Sequence, residues 1–325
     1  MTELIVVVPT FFDNNNYVDF GLMYDHLKHL VDSGIRSFVF QGTTSETPTL
    51  RSFDIQTINH KMIGALSNLC PDRSKLKLIF GVGGFDTSKV IEDIEHYGYQ
   101  EKADIIMLSA PYYNKPTQEG IFHHYRTITE KFPDVDFMVY NVPSRTGVNI
   151  EPVTMMRICK LNNVVAIKEA SGSISQIMEL NHLLKLNHLE DIKLYSGDDG
   201  LTVPVLSIGG AGVISVLGNL MPKAMLRLVS EFNDYVDKAL VHKYNNDLVP
   251  FYKSLFMESN PVPLKYLLSL KYQDKNYYNV RLPLVKLSEK SQEELFNLHY
   301  HYSKREYHSD LNVHKYEEEN YNEQI

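Results

Sequence analysis

Eight short apolar runs recur along the first two-thirds of the chain, and this alternation restricts the fold more than any other feature. The runs lie at 4–10, 37–42, 76–83, 104–111, 136–143, 164–168, 192–197 and 211–216. Most are separated by stretches with the apolar periodicity of amphipathic helices, such as YDHLKHLVDSG and GIFHHYRTITEKF. Eight strands, each followed by a helix, are typical of an α/β protein with a (β/α)8 TIM barrel. An open doubly wound sheet would give the same alternation, so the pattern favours the barrel without excluding the sheet.

The strand-like runs stop after about residue 222, whereas helical patterns continue. We therefore predict a barrel over 1–222 and a C-terminal helical segment over 223–298, which could pack against another subunit. The remaining residues, 299–325, are polar and charged and lack an apolar face, so they predict a mobile or partner-dependent tail. The histidines of this tail follow no metal-ligand spacing.

The composition narrows the range of partners. The 325 residues are 43% hydrophobic and 22% charged, as expected for a globular protein with a large core. A formal net charge of −8 argues against nucleic-acid and anionic-membrane partners, since both bind basic surfaces. Cys70 and Cys159 indicate neither a disulfide framework nor a metal cluster, and the N-terminal MTELIVVVP is too short for a signal peptide. We therefore expect a cytoplasmic protein without a membrane span.

The sixth apolar run ends in Lys168, an unfavourable residue for a strand that is buried on both faces. Polar or small residues follow every run, and a barrel places its active site at these C-terminal strand ends. Burial depresses the pKa of a lysine and frees its amine to attack a carbonyl carbon. Two interpretations fit: Lys168 forms a Schiff base with a carbonyl substrate, or it pairs with neighbouring Glu169.

The strand end before it, YNVPSRTG, adds a phenol and a guanidinium. Tyr140 could shuttle protons during imine formation, and Arg145 could bind a carboxylate through two hydrogen bonds. An anchored tyrosine and a surface arginine are the alternatives for these residues taken singly. In GTTSE, Thr43 and Thr44 suit a small carboxylate, although threonines also cap helices.

Three further motifs carry weaker signals. GVGG at 81–84 matches neither the dinucleotide fingerprint nor a P-loop. PYYN at 111–114 contains loop tyrosines of the kind often found at interfaces. SGDD at 196–199 offers carboxylates, yet no other ligand joins them at a metal-site spacing, so we interpret it as a helix N-cap.

The chain resembles the dihydrodipicolinate synthase and N-acetylneuraminate lyase family of class I aldolases. The resemblance is carried, in order, by GTTSE, PYYNKPTQEG, YNVPSRTG, IKEASG, SGDD and GVISV, and it continues into FMESNPVPLKY and VRLPL. It covers roughly residues 4–295. It implies a (β/α)8 barrel with a C-terminal helical segment, no metal or organic cofactor, and a homotetramer built as a dimer of dimers.

The resemblance also implies catalytic roles for four residues. Lys168 would form a Schiff base with pyruvate, and Tyr140 would relay protons at the imine. Thr43 resembles the hydrogen-bonded partner of that tyrosine. Tyr113 resembles the tyrosine that completes the relay from across a tight dimer interface.

Four other residues would bind substrate. Thr44 would hold the pyruvate carboxylate, and the backbone groups of Gly197 and Ile214 would line the pocket. Arg145 resembles the arginine that meets the carboxylate of L-aspartate 4-semialdehyde, so the favoured reaction is condensation of pyruvate with that aldehyde in lysine biosynthesis. The alternatives are a related aldolase acting on a sugar acid or a hydroxy-keto acid, and a catalytically silent barrel that serves as a binding protein.

The chain departs from the family pattern at several positions. Ser45 stands where glycine is usual, which predicts an altered loop because glycine tolerates every backbone region. The loop at 187–191 is longer than common forms. Many synthases of this family are inhibited by lysine at the dimer interface, where Phe85 and Lys89 here replace an amide and a carboxylate. We expect weak or absent inhibition, since Lys89 would repel the ammonium of the effector and Phe85 offers it no hydrogen bond.

Overall fold

The computed structural model describes residues 2–232 and 238–303. In it, eight parallel strands close into a barrel in the order of the sequence. The strands are β1 (Glu3–Val7), β2 (Ser37–Phe40), β3 (Lys77–Val82), β4 (Ile105–Ser109), β5 (Phe137–Asn141), β6 (Val164–Glu169), β7 (Lys193–Ser196) and β8 (Gly212–Ser215). Each strand overlaps one predicted apolar run, and β8 pairs with β1, so that Ile214 lies opposite Ile5. The predicted (β/α)8 barrel is therefore confirmed, and the open sheet is excluded.

Helices connect the strands and continue beyond the last one. The α-helices of the described residues are α1 (Phe20–Asp32), α2 (Ser52–Leu69), α3 (Thr87–Tyr97), α4 (Tyr99–Lys102), α5 (Gln118–Lys131), α6 (Pro143–Thr146), α7 (Pro152–Cys159), α8 (Ile174–Leu186), α9 (Thr202–Ser207), α10 (Pro222–Ser230), α11 (Lys238–Ser254), α12 (Val262–Tyr272) and α13 (Glu289–Ser303). Side-chain caps fix several of the starts. Asp19 accepts a hydrogen bond from the Leu22 N–H at 3.0 Å to begin α1, for example.

Strand alternation divides the apolar residues into two layers, because successive side chains of a strand point to opposite faces. The inner layer fills the barrel with Ile5, Val7, Val39, Ile79, Met107, Met138, Tyr140, Val142, Ala166, Tyr195 and Ile214. The outer layer packs the opposite faces of the strands, among them Phe38, Phe80 and Ile167, against the helices. The same alternation decides which polar side chains at the strand ends point into the barrel.

The C-terminal helices are joined to the barrel through α10. Helix α10 contacts both β1 and α11, so it links the barrel to the later helices. The division at residues 222 and 298 stays a prediction. Helix α13 runs on to Ser303, and the rest of the predicted tail, 304–325, lies outside the described residues. Among the described helices, none combines the length and the apolarity needed to cross a bilayer.

The C-terminal helices also hold the loop that follows β2. Glu46, at the end of GTTSE, forms an ion pair with Lys265 of α12, and both side chains are fully buried. The Lys265 amine also donates to the Asn279 carbonyl at 2.8 Å, and the Arg281 N–H donates to Glu46 at 3.1 Å. Burial lowers the pKa of Lys265 to about 8, an effect that the charge of Glu46 opposes. These contacts also hold Glu46 at a left-handed φ of 53°, which is unusual for a residue other than glycine.

Lys265→Met is expected to lower the free energy of unfolding by about 3–5 kcal/mol, because it leaves the Glu46 carboxylate buried without its cation. Equilibrium urea unfolding, followed by circular dichroism, measures the loss. The control Lys28→Met removes the surface pair with Asp32 at 2.5 Å and should leave the unfolding midpoint nearly unchanged. Equal losses in the two variants would contradict a structural role for the buried pair.

Candidate active site

Lys168 and Tyr140 face each other inside the mouth of the barrel. The register of β5 and β6 places the two residues opposite one another. The Lys168 Nζ lies 4.3 Å from the centroid of the Tyr140 ring, and both side chains are buried. The structure therefore brings together the amine and the phenol that the sequence suggested as partners in imine chemistry.

Glu169 points away from Lys168, to the outer face of the barrel, because it is the next residue of the same strand. Its carboxylate accepts hydrogen bonds from Asn141 Nδ2 at 3.0 and 3.1 Å and from the Ser171 N–H at 2.7 Å. The alternative interpretation, in which Glu169 pairs with Lys168, is wrong for this structure. The lysine amine is thus left facing the barrel interior.

Burial makes the Lys168 amine easy to deprotonate. Desolvation lowers its pKa to about 7, the nearby charge of Asp199 opposes that shift, and the charge of Arg145 adds to it. A large fraction of the amine is therefore neutral, and able to attack a carbonyl carbon, near neutral pH. An ordinary surface lysine would be almost fully protonated there.

A cavity of about 480 Å³ opens beside this pair, at the C-terminal ends of β2 to β5. Thr43, Tyr140 and Arg145 line it, together with Gly42, Ser109, Tyr112 and Val142 among others. Burial raises the pKa of Tyr140, while the charge of Arg145 and a hydrogen-bonding interaction with the Thr43 side chain oppose the rise. The phenol therefore stays protonated at neutral pH, and it can donate a proton as well as pass one on.

Thr44 and Ser45 are buried in the short 3₁₀ helix that follows β2 (Thr43–Ser45). The Thr44 Oγ1 accepts a hydrogen bond from Asn260 Nδ2 at 3.1 Å. The Ser45 hydroxyl donates to the Val8 carbonyl at 2.6 Å, so this side chain ties the loop to the end of β1. Ser45 has no positive φ, and the replacement of the usual glycine adds a hydrogen bond without imposing strain.

Gly197 provides the space through which the Lys168 side chain passes. A Cβ atom at this position would lie 2.7 Å from the Ala170 Cβ and 3.2 Å from both Cγ and Cε of Lys168. Any larger residue would push the lysine chain aside. Ile214, predicted to line the pocket, belongs to the inner layer of the barrel, as Tyr140 does.

Tyr113 is not gathered with the other predicted residues. Its side chain is 85% exposed, its φ is 65°, and its nearest ring contact is Phe85, with a centroid distance of 6.5 Å. The adjacent Tyr112 lines the cavity instead. Within one chain, therefore, Tyr113 is an exposed aromatic residue in a strained backbone conformation.

The two aspartates of SGDD have different roles. Asp198 caps the 3₁₀ helix that begins at Asp199 by accepting a hydrogen bond from the Gly200 N–H at 2.9 Å, as the N-cap interpretation expected. Asp199 is buried and binds the end of β8, where it accepts from the Ser215 hydroxyl and from the N–H groups of Val216 and Leu217. Burial raises the pKa of Asp199 to about 6. The sequence motif gave no signal for this second role, since the partners lie on another strand.

In the described part of the chain, no three His, Cys, Asp or Glu side chains are grouped closely enough to hold a metal ion. The groups that converge on the cavity are instead a phenol, a guanidinium and hydroxyls, with a buried amine beside them. Such groups can bind a carboxylate, form an imine and transfer protons.

Known proteins of one family share this chain's sequence and fold. Residues 1–300 match the model of the dihydrodipicolinate synthetase family. The chain is 35% identical over 288 residues to the 4-hydroxy-tetrahydrodipicolinate synthase of Heliobacterium modesticaldum. This alignment covers 88% of this chain and 91% of that relative. The dihydrodipicolinate synthase of Thermotoga maritima is 34% identical with a TM-score of 0.85, covering 93% of this chain and 98% of that one. The synthase of Acinetobacter baumannii, solved in complex with pyruvate, is 30% identical with a TM-score of 0.84, covering 93% and 99%.

The reactivity of Lys168 should rise with pH around a midpoint near 7, because only the neutral amine reacts with an acylating reagent and burial favours that form. Competitive labelling with acetic anhydride over a pH series, read by peptide mass spectrometry, measures this midpoint. Lys28 is the internal control, since its pairing with Asp32 raises its pKa above 10.5. Arg145→Gln should move the Lys168 midpoint to higher pH by removing a neighbouring positive charge. A midpoint for Lys168 like that of Lys28 would contradict the interpretation.

Proposed function

Since the chain belongs to the dihydrodipicolinate synthetase family, we propose that it condenses pyruvate with L-aspartate 4-semialdehyde to form 4-hydroxy-tetrahydrodipicolinate. The observation that carries the proposal is the buried Lys168 amine, 4.3 Å from the ring of Tyr140 and beside a cavity lined by Arg145. The relative from Heliobacterium modesticaldum bears the name of this activity, and the relative from Acinetobacter baumannii binds pyruvate. The enzyme is a class I aldolase-type lyase.

The reaction begins when the neutral Lys168 amine attacks the keto carbon of pyruvate. Loss of one water from the carbinolamine gives an imine, which acts as an electron sink for the next step. Removal of a methyl proton converts the imine to an enamine, and the enamine carbon attacks the aldehyde carbon of the second substrate. The resulting alkoxide takes up a proton, and the amino group of that substrate then displaces Lys168 from the imine carbon to close the ring.

Tyr140 relays the protons of these steps, with Thr43 as its hydrogen-bonding partner. A raised pKa keeps the phenol protonated between transfers. Tyr113 completes the relay from a second subunit, a role that fits its exposure and its distance from the other site residues within one chain. Without that subunit the relay lacks its third hydroxyl.

The remaining site residues bind the two substrates. Thr44 holds the pyruvate carboxylate, and the backbone groups of Gly197 and Ile214 line the pyruvate side of the pocket. Arg145 holds the carboxylate of the semialdehyde, since its guanidinium suits a two-point contact and it lines the cavity next to Tyr140. That placement supports the semialdehyde over a sugar acid as the second substrate.

We also propose that the enzyme works in the cytoplasm as a homotetramer, a dimer of dimers. The large exposed side chains of Phe85 and Tyr113 support a subunit contact at the mouth of the cavity. Cys70 and Cys159 are both free thiols, as expected for a reducing compartment.

Incubation with pyruvate and sodium borohydride should leave a reduced pyruvate adduct on Lys168, which peptide mass spectrometry detects. Lys168→Met, a side chain of similar length without an amine, should give no adduct. Tyr140→Phe should keep the fold and lower turnover by about 10²–10⁴-fold, the usual contribution of a general acid–base group. Arg145→Gln should raise the KM for the semialdehyde and leave the trapping of pyruvate on Lys168 intact.

The outcomes of this experiment separate the alternative functions. An adduct on Lys168 with no cyclised product, together with cleavage of another 2-keto acid, would identify a sugar-acid or hydroxy-keto-acid aldolase. No adduct on Lys168 would identify a silent barrel that binds its ligand without chemistry.

L-Lysine should inhibit the enzyme weakly or not at all. Lys89 places its amine 2.9 Å from Asp93, a residue of the cavity wall, so that this carboxylate already has a cation beside it. Phe85 is largely exposed and contacts Tyr112 through its ring. Initial rates over a lysine series measure the effect, and Lys89→Glu should strengthen inhibition by supplying a carboxylate for the ammonium. Strong inhibition of the unaltered protein by micromolar lysine would disprove the expectation.

A further inference from the structure

The loop after β2 is bound to the C-terminal helices at two points, and one of them is a residue assigned to substrate. The first point is the buried ion pair of Glu46 with Lys265. The second is the hydrogen bond from Asn260 Nδ2 to Thr44 Oγ1, at 3.1 Å. Both side chains of this second contact are at least 95% buried, with exposed fractions of 5% for Asn260 and 2% for Thr44. Asn260 therefore contacts the hydroxyl to which the proposed function assigns the pyruvate carboxylate.

The direction of this hydrogen bond fixes the direction of the Thr44 proton. A hydroxyl has one proton to donate and can accept through its lone pairs. Because Oγ1 accepts from the Asn260 amide, its own O–H has to point to another group. Within the described residues, that O–H has no protein acceptor. The proton of Thr44 is therefore free for a ligand, and a carboxylate is the strongest acceptor that a substrate of this site would present.

The amide of Asn260 differs from the buried amides of Asn141 and Asn219. Asn141 and Asn219 use both ends: their Nδ2 atoms donate and their Oδ1 atoms accept. In Asn260, the Nδ2 donates to Thr44 while the buried Oδ1 has no hydrogen-bond partner. A buried acceptor without a partner is uncommon and calls for an explanation. The bond to Thr44 is thus the one side-chain hydrogen bond of Asn260 within the described residues.

The backbone around Asn260 keeps the amide in place. Two residues beyond Thr44, Glu46 is held by Lys265, which lies one turn into α12. The start of that helix is closed by the Lys265 N–H, which donates to the Pro261 carbonyl at 2.9 Å. The segments that carry Thr44 and Asn260 are therefore both held by the contacts of Lys265.

We propose that Asn260 is a positioning residue that directs the Thr44 hydroxyl proton toward the carboxylate of pyruvate. The inference rests on the proposed function, in which Thr44 binds that carboxylate. Asn260 acts through Thr44 and makes no contact with the reacting atoms.

Asn260→Ala should raise the KM for pyruvate by about tenfold, because the Thr44 proton is then free to turn away from the substrate. Asn260→Asp should raise it further, since a carboxylate would capture the proton and repel pyruvate. The KM for the semialdehyde and kcat should change by less than about twofold in Asn260→Ala. Steady-state kinetics with each substrate varied in turn give these values.

A double-mutant cycle distinguishes positioning from simple structural support. In a Thr44→Val background, where the hydroxyl is missing, Asn260→Ala should change the KM for pyruvate by less than about twofold. Asn163→Ala, at the residue before β6, is the matched control, because its amide donates at 2.9–3.1 Å to three carbonyls at the end of α5 and in the segment that follows it. It should lower the thermal midpoint and leave both KM values unchanged.

Several results would overturn the proposal. Equal changes in both KM values, additive effects in the cycle, or an unchanged KM for pyruvate in Asn260→Ala would each do so. If the Asn260 variants do not fold, Thr44→Val alone decides, because a normal KM for pyruvate in that variant removes the premise. Failure of the proposed function is distinguishable: in that case borohydride traps no pyruvate on Lys168 of the unaltered protein. If trapping succeeds and its pyruvate dependence is the same in Asn260→Ala, only the inference on Asn260 fails.

Discussion

The proposed chemistry of this protein depends on the desolvation of one amine. In water, a lysine at neutral pH holds its proton too firmly to act as a nucleophile. Inside the barrel, the lost hydration of the ammonium lowers the pKa of Lys168 to about 7, despite the opposing charge of Asp199. The barrel provides that environment because Lys168 is buried and points into the interior that the apolar inner layer fills. The polar side chains that line the cavity lie at the C-terminal ends of the strands.

Strand alternation converts this environment into a site. Tyr140 and Lys168 occupy paired positions in neighbouring strands and both point inward, whereas their sequence neighbours Asn141 and Glu169 point outward and bond to each other. A shift of one residue in β6 would exchange the amine for a carboxylate inside the barrel, and the same shift in β5 would exchange the phenol for an amide. Gly197 adds a steric condition, since a Cβ there would clash with Ala170 at 2.7 Å and crowd the Lys168 side chain at 3.2 Å. Register and a single glycine therefore decide whether the amine and the phenol meet.

The strands and the polar residues at their ends follow from local sequence patterns and could be predicted. Contacts between residues that are far apart in the sequence could not. The eight apolar runs predicted the strands, and polar residues at their ends predicted where Thr43, Tyr140 and Lys168 would gather. Nothing in the sequence indicated that Asp199 binds the end of β8 or that Asn260 reaches Thr44, because such contacts join separate elements that meet only in the folded chain. The contact of Ser45 was hidden for the same reason, because its hydroxyl donates to the Val8 carbonyl at the end of β1.

The contacts between the loop after β2 and the C-terminal helices also set the order in which the site is completed. Thr44 and its partner Asn260 are 216 residues apart, and Glu46 and Lys265 are 219 apart. During synthesis, the chain that carries Thr43, Thr44 and Glu46 therefore emerges from the ribosome long before its supports exist. The loop reaches its final form only after Arg281, which also binds Glu46, has been added. A nascent or truncated chain can contain all eight strands and the Lys168 amine and still lack the fixed loop that carries Thr44, so that the proposed activity requires the chain as far as Arg281.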